Sequence, residues 1–295
     1  MQEFSLSLMD NIFKLNEDLF NFTYKHGSYQ AFNISDPKPR NIHKATVRDR
    51  LLHHAIYRKL YPFYDKTFIA DSYSCRLNKG THKALNRFRS FGHKVSKNNT
   101  KTCWVLKSDI KKFFANIDHK ILLNILIGRI SDEDIIWLLK DVIDSFYTKD
   151  KHGKGLPLGN LTSQLFVNIY MNEFDQFVKH NLKVKYYLRY ADDFVFMHEN
   201  RKYLESIIPK VEKFLETKLK LQMHPDKVYI KTLASGVDFL GWVHFLNHRV
   251  LRTTTKKRMI KRIKESLKDA TIQSYLGLLG HGNAKKLQSE VLKNL

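Results

Sequence analysis

The stretch Tyr190-Ala191-Asp192-Asp193 places two adjacent carboxylates between two apolar segments. Residues 184–189 and 194–197 are rich in β-branched and aromatic side chains, which is typical of strands, so we expect a hairpin that closes on the acidic pair. Adjacent ionised carboxylates repel each other, and such a pair is best tolerated where solvent or a divalent cation neutralises it. A polar turn of the Asx type is the alternative interpretation.

A third carboxylate, Asp109, lies at the end of a second predicted strand, residues 102–110. Two strands that bring carboxylates to one edge of a sheet can hold Mg²⁺, which takes oxygen ligands and bridges substrate phosphates. The acidic pair and Asp109 together therefore indicate a site for phosphate chemistry.

These motifs resemble those of reverse transcriptases. Asp109, followed five positions later by Phe114, resembles motif A, and the Tyr-Ala-Asp-Asp hairpin resembles motif C. The segment Gly155-Leu156-Pro157-Leu158-Gly159-Asn160-Leu161-Thr162-Ser163-Gln164 is similar to that of the reverse transcriptases of diversity-generating retroelements, where Ser-Gln ends a motif that usually ends Ser-Pro in group II intron and retroviral relatives. The resemblance runs from about Pro37 to Trp242.

The resemblance implies an α+β fold of the right-hand polymerase type, with fingers, a palm built on an antiparallel sheet backed by helices, and a short helical thumb. We expect an N-terminal extension and fingers in residues 1–101, palm motif A in 102–119, fingers and palm helices in 120–158, palm motifs B to E in 159–245, and a basic helical thumb in 246–295. Residues 24–35 are expected to be turn-rich and 37–43 extended. Apolar periodicity predicts helices over residues 9–22, 47–56, 121–130, 131–143 (capped by Ser131), 162–177, 201–221, 256–268 and 271–279.

The resemblance also implies the chemistry. Asp109, Asp192 and Asp193 would hold two Mg²⁺ ions, with Mn²⁺ as an alternative ion, for in-line phosphoryl transfer to a primer 3′-hydroxyl. By the resemblance, Asp109 and Asp192 would be the direct ligands. Lys227 matches the motif D lysine, which protonates or neutralises the leaving pyrophosphate; an ordinary surface lysine is the alternative. Phe114 would lie beneath the sugar and exclude a 2′-hydroxyl, with core packing as the alternative.

Four basic residues are candidate contacts of the nucleotide. By the resemblance, Arg40 and Arg48 lie in a fingers segment near the triphosphate, and Arg76 and Lys79 lie in a second fingers motif. Solvated surface charge is the alternative for all four. The sequence around Lys79 lacks the upstream glycine of a P-loop, so that motif is excluded.

Leu158 and Gln164 are further candidate contacts of the nucleotide. Many relatives carry Gln where this chain has Leu158, and leucine offers shape but no hydrogen bond, which predicts reduced fidelity. In the resembled retroelements, errors occur opposite adenine while a template-repeat RNA is copied, and the cDNA diversifies a target gene. Gln164 either faces the active site or satisfies backbone groups.

Two regions are candidate contacts of primer and template. Phe239-Leu240-Gly241-Trp242 lies in a segment that resembles motif E, which grips the primer strand, although its apolar residues are otherwise ordinary core. Residues 246–295 contain 12 Lys+Arg against three Asp+Glu. The helix predicted over 256–268 has an apolar face that includes Leu267, and its basic residues suit a duplex backbone: Lys256, Lys257, Arg258, Lys261 and Arg262.

The composition agrees with a polyanionic partner. The chain has 295 residues, 51 Lys+Arg against 29 Asp+Glu, and a formal net charge of +22. The expected partners are template RNA, a cDNA primer strand, dNTPs and, by the resemblance, a small basic accessory protein. Two cysteines without a Cys-x-x-Cys motif indicate neither a disulfide framework nor a zinc site. No apolar stretch suggests a membrane span, so no membrane partner and a cytoplasmic location are expected.

Other functions remain open. A retron or antiphage reverse transcriptase would share the motifs, but the chain shows no Val-Thr-Gly near the thumb. A group II intron protein would share the palm, although this chain is short for the added regions of such proteins. A non-catalytic RNA-binding module on a polymerase fold is an alternative of another class, against which the three acids argue. Phe114 disfavours an RNA-dependent RNA polymerase.

Overall fold

The computed structural model describes residue 4 and residues 6–35, 39–265 and 269–293. Pro37, Leu267 and Lys268, which the sequence analysis assigned to an extended segment and a basic helix, lie outside the described residues. The strands within the described range are β1 (Gln30–Ile34), β2 (Arg40–Lys44), β3 (Trp104–Asp109), β4 (Tyr187–Tyr190), β5 (Asp193–His198), β6 (Tyr229–Thr232), β7 (Val237–Phe239), β8 (Trp242–His244) and β9 (Arg249–Leu251).

The helices account for most of the remaining described chain. They are α1 (Leu8–Phe20), α2 (Val47–Asp65), α3 (Thr81–Val95), α4 (His119–Ile127), α5 (Glu133–Asp144), α6 (Leu161–Gln176), α7 (Arg201–Leu219), α8 (Thr253–Glu265), α9 (Asp269–Leu279) and α10 (Lys285–Lys293). Short 3₁₀ turns occur at Phe114–Asn116, Pro225–Lys227 and Leu233–Ser235.

The chain divides into two compact units. Unit 1 comprises residues 1–70, 110–183 and 209–224, and unit 2 comprises residues 71–109, 184–208 and 225–295. Helix α7 begins in unit 2 and continues in unit 1 from Pro209, which lies inside the helix.

Unit 2 is built on a four-stranded antiparallel sheet of order β4-β5-β3-β6. In β3 and β5, alternate residues point to one face, and the apolar members of that face, Val105, Val195 and Met197, are buried. Helix α3 covers this face with Leu85, Phe88 and other buried side chains. The sheet is therefore backed by a helix, and its strands are fixed in register by this packing.

The same hydrophobic core continues through the rest of unit 2. A second antiparallel sheet of order β7-β8-β9 contributes Phe239 and Trp242 to it, and α8 contributes Met259 and Ile263. Buried residues of α9 and α10 complete the cluster. The basic helix α8 is thus anchored by its apolar face, as its sequence periodicity predicts.

Unit 1 contains the β1–β2 hairpin and most of the other helices. Helix α2 packs against α6, which also contacts α4. Helix α6 buries a long apolar series that includes Leu165, Phe166, Ile169 and Phe174. The segment before α6 is attached to β2, because the backbone N–H of His43 donates to the carbonyl of Leu158 over 2.9 Å.

The α+β class with antiparallel sheets is confirmed, two local predictions are corrected, and two elements were missed. Helix α5 is capped by Asp132, whose side chain accepts from the Ile135 N–H at 3.0 Å, and not by Ser131. Residues 30–34 form strand β1, not only turns, and β9 and α10 were not predicted. Among the described residues, no helix combines the length and apolar character needed to cross a bilayer.

Candidate active site

Two of the three predicted carboxylates lie side by side in unit 2. Asp109 ends β3 and Asp193 begins β5, and the register of the two antiparallel strands pairs them directly. Directly opposed residues point to the same face of a sheet, so both carboxylates lie at one end of the face that α3 covers. Asp192 occupies the two-residue turn between β4 and β5, next to this pair.

Each of the two opposed carboxylates has a lysine as its counterion. Lys227 Nζ donates to Asp109 Oδ1 over 2.8 Å, and Lys107 Nζ lies 3.2 Å from Asp193 Oδ1. Burial raises the pKa of Asp193 to about 7; the charge of Lys107 opposes this rise, and Asp109 and Asp192 add to it. The group is therefore an acid pair under mutual repulsion, held together by two cations.

The turn that carries Asp192 is fixed by a buried arginine. Arg189 is fully buried in β4, and its Nη1 donates to the carbonyl of Ala191 over 3.0 Å while its Nη2 donates to Ser72 Oγ over 3.2 Å. Ala191 has a φ of 55°, which is strained for a residue other than glycine and is typical of functional turns. The guanidinium holds the carbonyl of the strained residue in place.

Lys107 and Arg189 were not predicted as site residues. Lys107 occurs two residues before Asp109, on the same face of β3, and strand periodicity alone could have indicated it. Arg189 lies among apolar and aromatic residues of a predicted strand. Because arginine is rarely buried without partners, its position there was a signal of a buried, hydrogen-bonded guanidinium.

The donor chemistry of the acidic group suits a hard divalent cation. Carboxylate oxygens are the ligands that Mg²⁺ takes in proteins, and Asp193 Oδ1 is a buried carboxylate oxygen whose neighbouring cation is Lys107. Within the part of the chain that is described, no cluster of three or more His, Cys, Asp or Glu side chains is arranged for metal binding. Asp109, Asp192 and Asp193 are the carboxylates that would hold such a cation, and Lys227 donates to Oδ1 of Asp109.

Arg76 and Lys79 lie in the loop that precedes α3, in unit 2. Arg76 Nη1 donates to the Ser72 carbonyl over 3.0 Å, and Lys79 Nζ lies 5.2 Å from the centre of the Tyr73 ring. Because Ser72 also binds Arg189, this loop is coupled to the acidic turn. Contact of the two basic residues with a nucleotide stays a prediction.

Arg40 and Arg48 lie in unit 1. Arg40 is exposed at the start of β2. Arg48 lies in the first turn of α2, where its Nη2 contacts Asp18 Oδ2 at 2.5 Å and its guanidinium stacks 4.7 Å from the Tyr24 ring centre. The prediction that Arg48 binds a triphosphate would require this ion pair to open, whereas exposed Arg40 has no such constraint.

The other nucleotide candidates of unit 1 share one connected region. Phe114 accepts a backbone hydrogen bond of 2.9 Å from Leu156, and its ring packs edge-on against Phe113. Leu158 is partly buried and, as described above, is tied to β2 through its backbone. Gln164 is partly buried on α6. Unit 1 thus brings Phe114 and the Leu158 segment together.

The predicted primer and template contacts lie in unit 2, and they differ in how far their side chains are exposed. Phe239 and Trp242 are buried, so only the turn residues Leu240 and Gly241, both with positive φ, present surface at this end of the β7–β8 hairpin. Helix α8 presents the basic residues on its solvent side; Lys256, Lys257, Lys261 and Arg262 are exposed and Arg258 is partly buried.

Comparison with known proteins gives the family. The sequence profile of the family described as reverse transcriptase (RNA-dependent DNA polymerase) matches residues 31–244, which is most of the chain. The chain belongs to the reverse transcriptase family. Reverse transcriptases in general use divalent metal ions, in agreement with the donor set described above. Membership of the reverse transcriptase family, as predicted, is confirmed. The diversity-generating subfamily and the domain boundaries stay predictions.

Two curated proteins are similar to this chain in sequence. Protein YkfC of Escherichia coli K12 is 27% identical over 258 residues, which is 75% of this chain and 66% of YkfC. The group II intron-encoded protein LtrA of Lactococcus lactis is 26% identical over 243 residues, which is 78% of this chain and 39% of LtrA. The chain thus spans less than two thirds of the length of these relatives.

Solved structures confirm the right-hand polymerase fold. The apo telomerase of Candida tropicalis, truncated from its C-terminal domain, superimposes with a TM-score of 0.57. It is 15% identical, and the match covers 77% of this chain and 55% of the telomerase chain.

Proposed function

We propose that this chain synthesises DNA on an RNA template. The observation that carries the proposal is the direct pairing of Asp109 with Asp193, with Asp192 in the adjoining turn, in a chain of the reverse transcriptase family. The net charge of +22 supports template RNA, a primer strand and dNTPs as partners.

In the proposed reaction, Asp109, Asp192 and Asp193 would hold Mg²⁺, which supplies charge neutralisation for the attacking and leaving oxygens when it is bound. Arg189 orients the turn of Asp192 through the Ala191 carbonyl. Lys227, held on Asp109, is a cation that can donate a proton to the leaving pyrophosphate. Phe114 excludes ribonucleotides by its bulk.

Primer extension on a defined RNA template, with dNTPs and Mg²⁺, tests this proposal. We expect wild-type protein to make cDNA and Asp192→Ala to make none above background, since the loss of a metal-binding carboxylate removes charge stabilisation from the transition state. Asp238→Ala, which removes a carboxylate elsewhere in unit 2, is the control and should retain synthesis. Binding of RNA without synthesis, in several ion and primer conditions, would favour a non-catalytic RNA-binding module.

At a finer level, we infer a reverse transcriptase of a diversity-generating retroelement. The support is the segment that ends in Ser163-Gln164 and carries Leu158. Such an enzyme copies a template-repeat RNA with errors opposite adenine, works with a small basic accessory protein, and feeds mutagenic retrohoming. Sequencing of the cDNA tests it: errors concentrated opposite adenine support the inference.

A group II intron-like or retron-like role is the second candidate. The similarity to LtrA, which is encoded by a group II intron, favours it. Accurate cDNA from the same sequencing experiment would select this candidate over the diversity-generating one.

A further inference from the structure

Unit 2 contains a basic cavity at the turn between β8 and β9. Its volume is about 220 Å³, and its wall includes Arg89 of α3, His244 and His248 of the sheet, Arg249, His281 and Asn283. None of the residues that line it is acidic. The predicted primer contacts Leu240 and Gly241 lie at the other turn of β8, so this cavity is separated from them by the length of the strand.

Two buried nitrogen atoms in the cavity wall have no partner among the described residues. The first is Nη1 of Arg249. The other two nitrogens of this guanidinium are satisfied: Nε donates to the His281 carbonyl, and Nη2 donates to Asn86 Oδ1 over 3.1 Å. Nε2 of His244, whose side chain is almost completely buried, is the second. Buried polar atoms without partners are uncommon and costly, so these two call for a ligand.

Among the described residues, no carboxylate forms an ion pair with Arg89 or Arg249 at the cavity. Arg89 is exposed and donates through Nη2 to the Asn247 carbonyl and through Nε to His93 Nε2, each over 3.4 Å. The His281 ring stacks on His82 with 3.5 Å between ring centres. Burial lowers the pKa of Arg249, and the charge of Arg89 lowers it further. An anion between the two guanidinium groups would relieve this repulsion and accept several charge-assisted hydrogen bonds.

The size of the cavity limits the anion. Pockets that enclose whole small-molecule ligands measure roughly 300–1,000 Å³. A cavity of about 220 Å³ is smaller, and it fits a single phosphate group whose remaining atoms stay outside. Arginine is the side chain best suited to such a group, because its planar fork binds two oxygens.

We propose that this cavity binds one backbone phosphate of the RNA–DNA hybrid. The inference rests on the proposed function for the identity of the polynucleotide, but not on catalysis. The site adds a contact at the β8–β9 turn to those predicted on α8, and Arg89 and Arg249 are its principal donors.

Fluorescence anisotropy with a short labelled RNA–DNA hybrid tests the site, in EDTA so that synthesis plays no part. We expect Arg89→Gln to raise the Kd about tenfold and to reduce the slope of log Kd against log salt by about one, as for the loss of one phosphate contact. Lys94→Gln is the matched control, since Lys94 is exposed on the same helix but outside the cavity wall. It should change the Kd about twofold or less.

Arg249→Lys keeps the charge but loses the fork, and it should also weaken hybrid binding about tenfold. Thermal unfolding of this variant separates a binding loss from misfolding. Equal effects of Arg89→Gln and Lys94→Gln would overturn the proposal. A second result would also overturn it: inorganic phosphate stabilises the wild type but not Arg89→Gln, and the two proteins bind the hybrid equally well. The cavity would then be a site for free phosphate. Arg89-dependent binding without any DNA synthesis would instead contradict the catalytic proposal alone.

Discussion

Lys227 donates a hydrogen bond of 2.8 Å to Oδ1 of Asp109, although 118 residues separate the two in sequence. The 3₁₀ turn Pro225–Lys227 brings the ammonium group to the end of β3. A lysine at this point has two possible tasks, neutralising Asp109 and donating a proton to the product, and the two can be separated by substitution.

Lys227→Met is expected to slow nucleotide addition about 100-fold or more, in the range usual for the loss of a positioned proton donor. The KM for dNTP should change little. Pre-steady-state primer extension measures both quantities. Lys231→Met, at an exposed lysine on β6, is the control and should leave the rate unchanged. A full rate in Lys227→Met would show that Lys227 is only a counterion.

Arg189→Met is expected to lower the free energy of unfolding by about 2–4 kcal/mol, because the Ala191 carbonyl and the Ser72 hydroxyl lose a buried charged donor. Urea titration followed by circular dichroism measures this loss. Arg201→Met, at a half-exposed arginine paired with Glu205, should cost about 1 kcal/mol or less. Equal losses in the two variants would contradict the importance of the buried guanidinium.

Phe114→Ala is expected to admit ribonucleotides. Removal of the ring opens space for a 2′-hydroxyl, so the preference for dCTP over CTP, measured as the ratio of kcat/KM values, should fall about 10- to 200-fold. Phe114→Tyr retains the ring and should retain the preference. An unchanged ratio in Phe114→Ala would assign the side chain to packing against Phe113.

Leu158→Gln is expected to reduce misincorporation opposite adenine, because glutamine would add a hydrogen-bonding group at a position predicted to contact the nucleotide. A gain of about 1–3 kcal/mol in discrimination would lower the error frequency about 5- to 150-fold. Sequencing of cDNA made by each protein measures it. Leu161→Gln, three residues further along, is the matched control. The same error spectrum in wild type and Leu158→Gln would contradict a role in fidelity.

Acid should destabilise the fold through two buried histidines. Burial lowers the pKa of His53 from 6.5 to about 4 and that of His244 to about 3. Below pH 6.5 the unfolded chain binds protons that the folded chain does not, so their stabilising contribution is complete above pH 6.5 and is lost as the pH falls toward these values. Between pH 7.5 and 5.0 each should cost roughly 2 kcal/mol.

Urea unfolding at the two pH values measures this dependence. His244→Gln should reduce the difference by roughly 2 kcal/mol. His54→Gln changes an exposed histidine on α2 and should leave the difference as in wild type. An equal pH dependence in all three proteins would mean that His244 is not kept neutral by the fold.

The acidic centre could be predicted from sequence because its spacing follows directly from strand geometry. Alternation along β3 and β5 places Asp109 and Asp193 on one face, and the hairpin signal around Asp192 is local. The same alternation places Lys107 on the face that carries Asp109. The role of the buried Arg189 could not be identified in this way, because it depends on a partner, Ser72, that is distant in sequence.

Element ends were less predictable, for physical reasons visible at particular residues. Ser131 and Asp132 are both competent helix caps, and the choice of Asp132 depends on where the chain enters α5. Strand β1 is fully exposed, so its sequence carries no alternation of apolar and polar residues, and only pairing with β2 defines it. Trp242 was predicted as a primer contact with ordinary core packing as the alternative, and tertiary packing buries it.

The pairing of Lys107 and Lys227 with the two opposed carboxylates has a consequence for how the protein is assembled. The acidic centre carries its own positive charges, so its negative charge does not need to be neutralised from outside while the chain folds. The protein can therefore fold without a bound metal ion. Chelation of the metal should abolish activity without unfolding the protein.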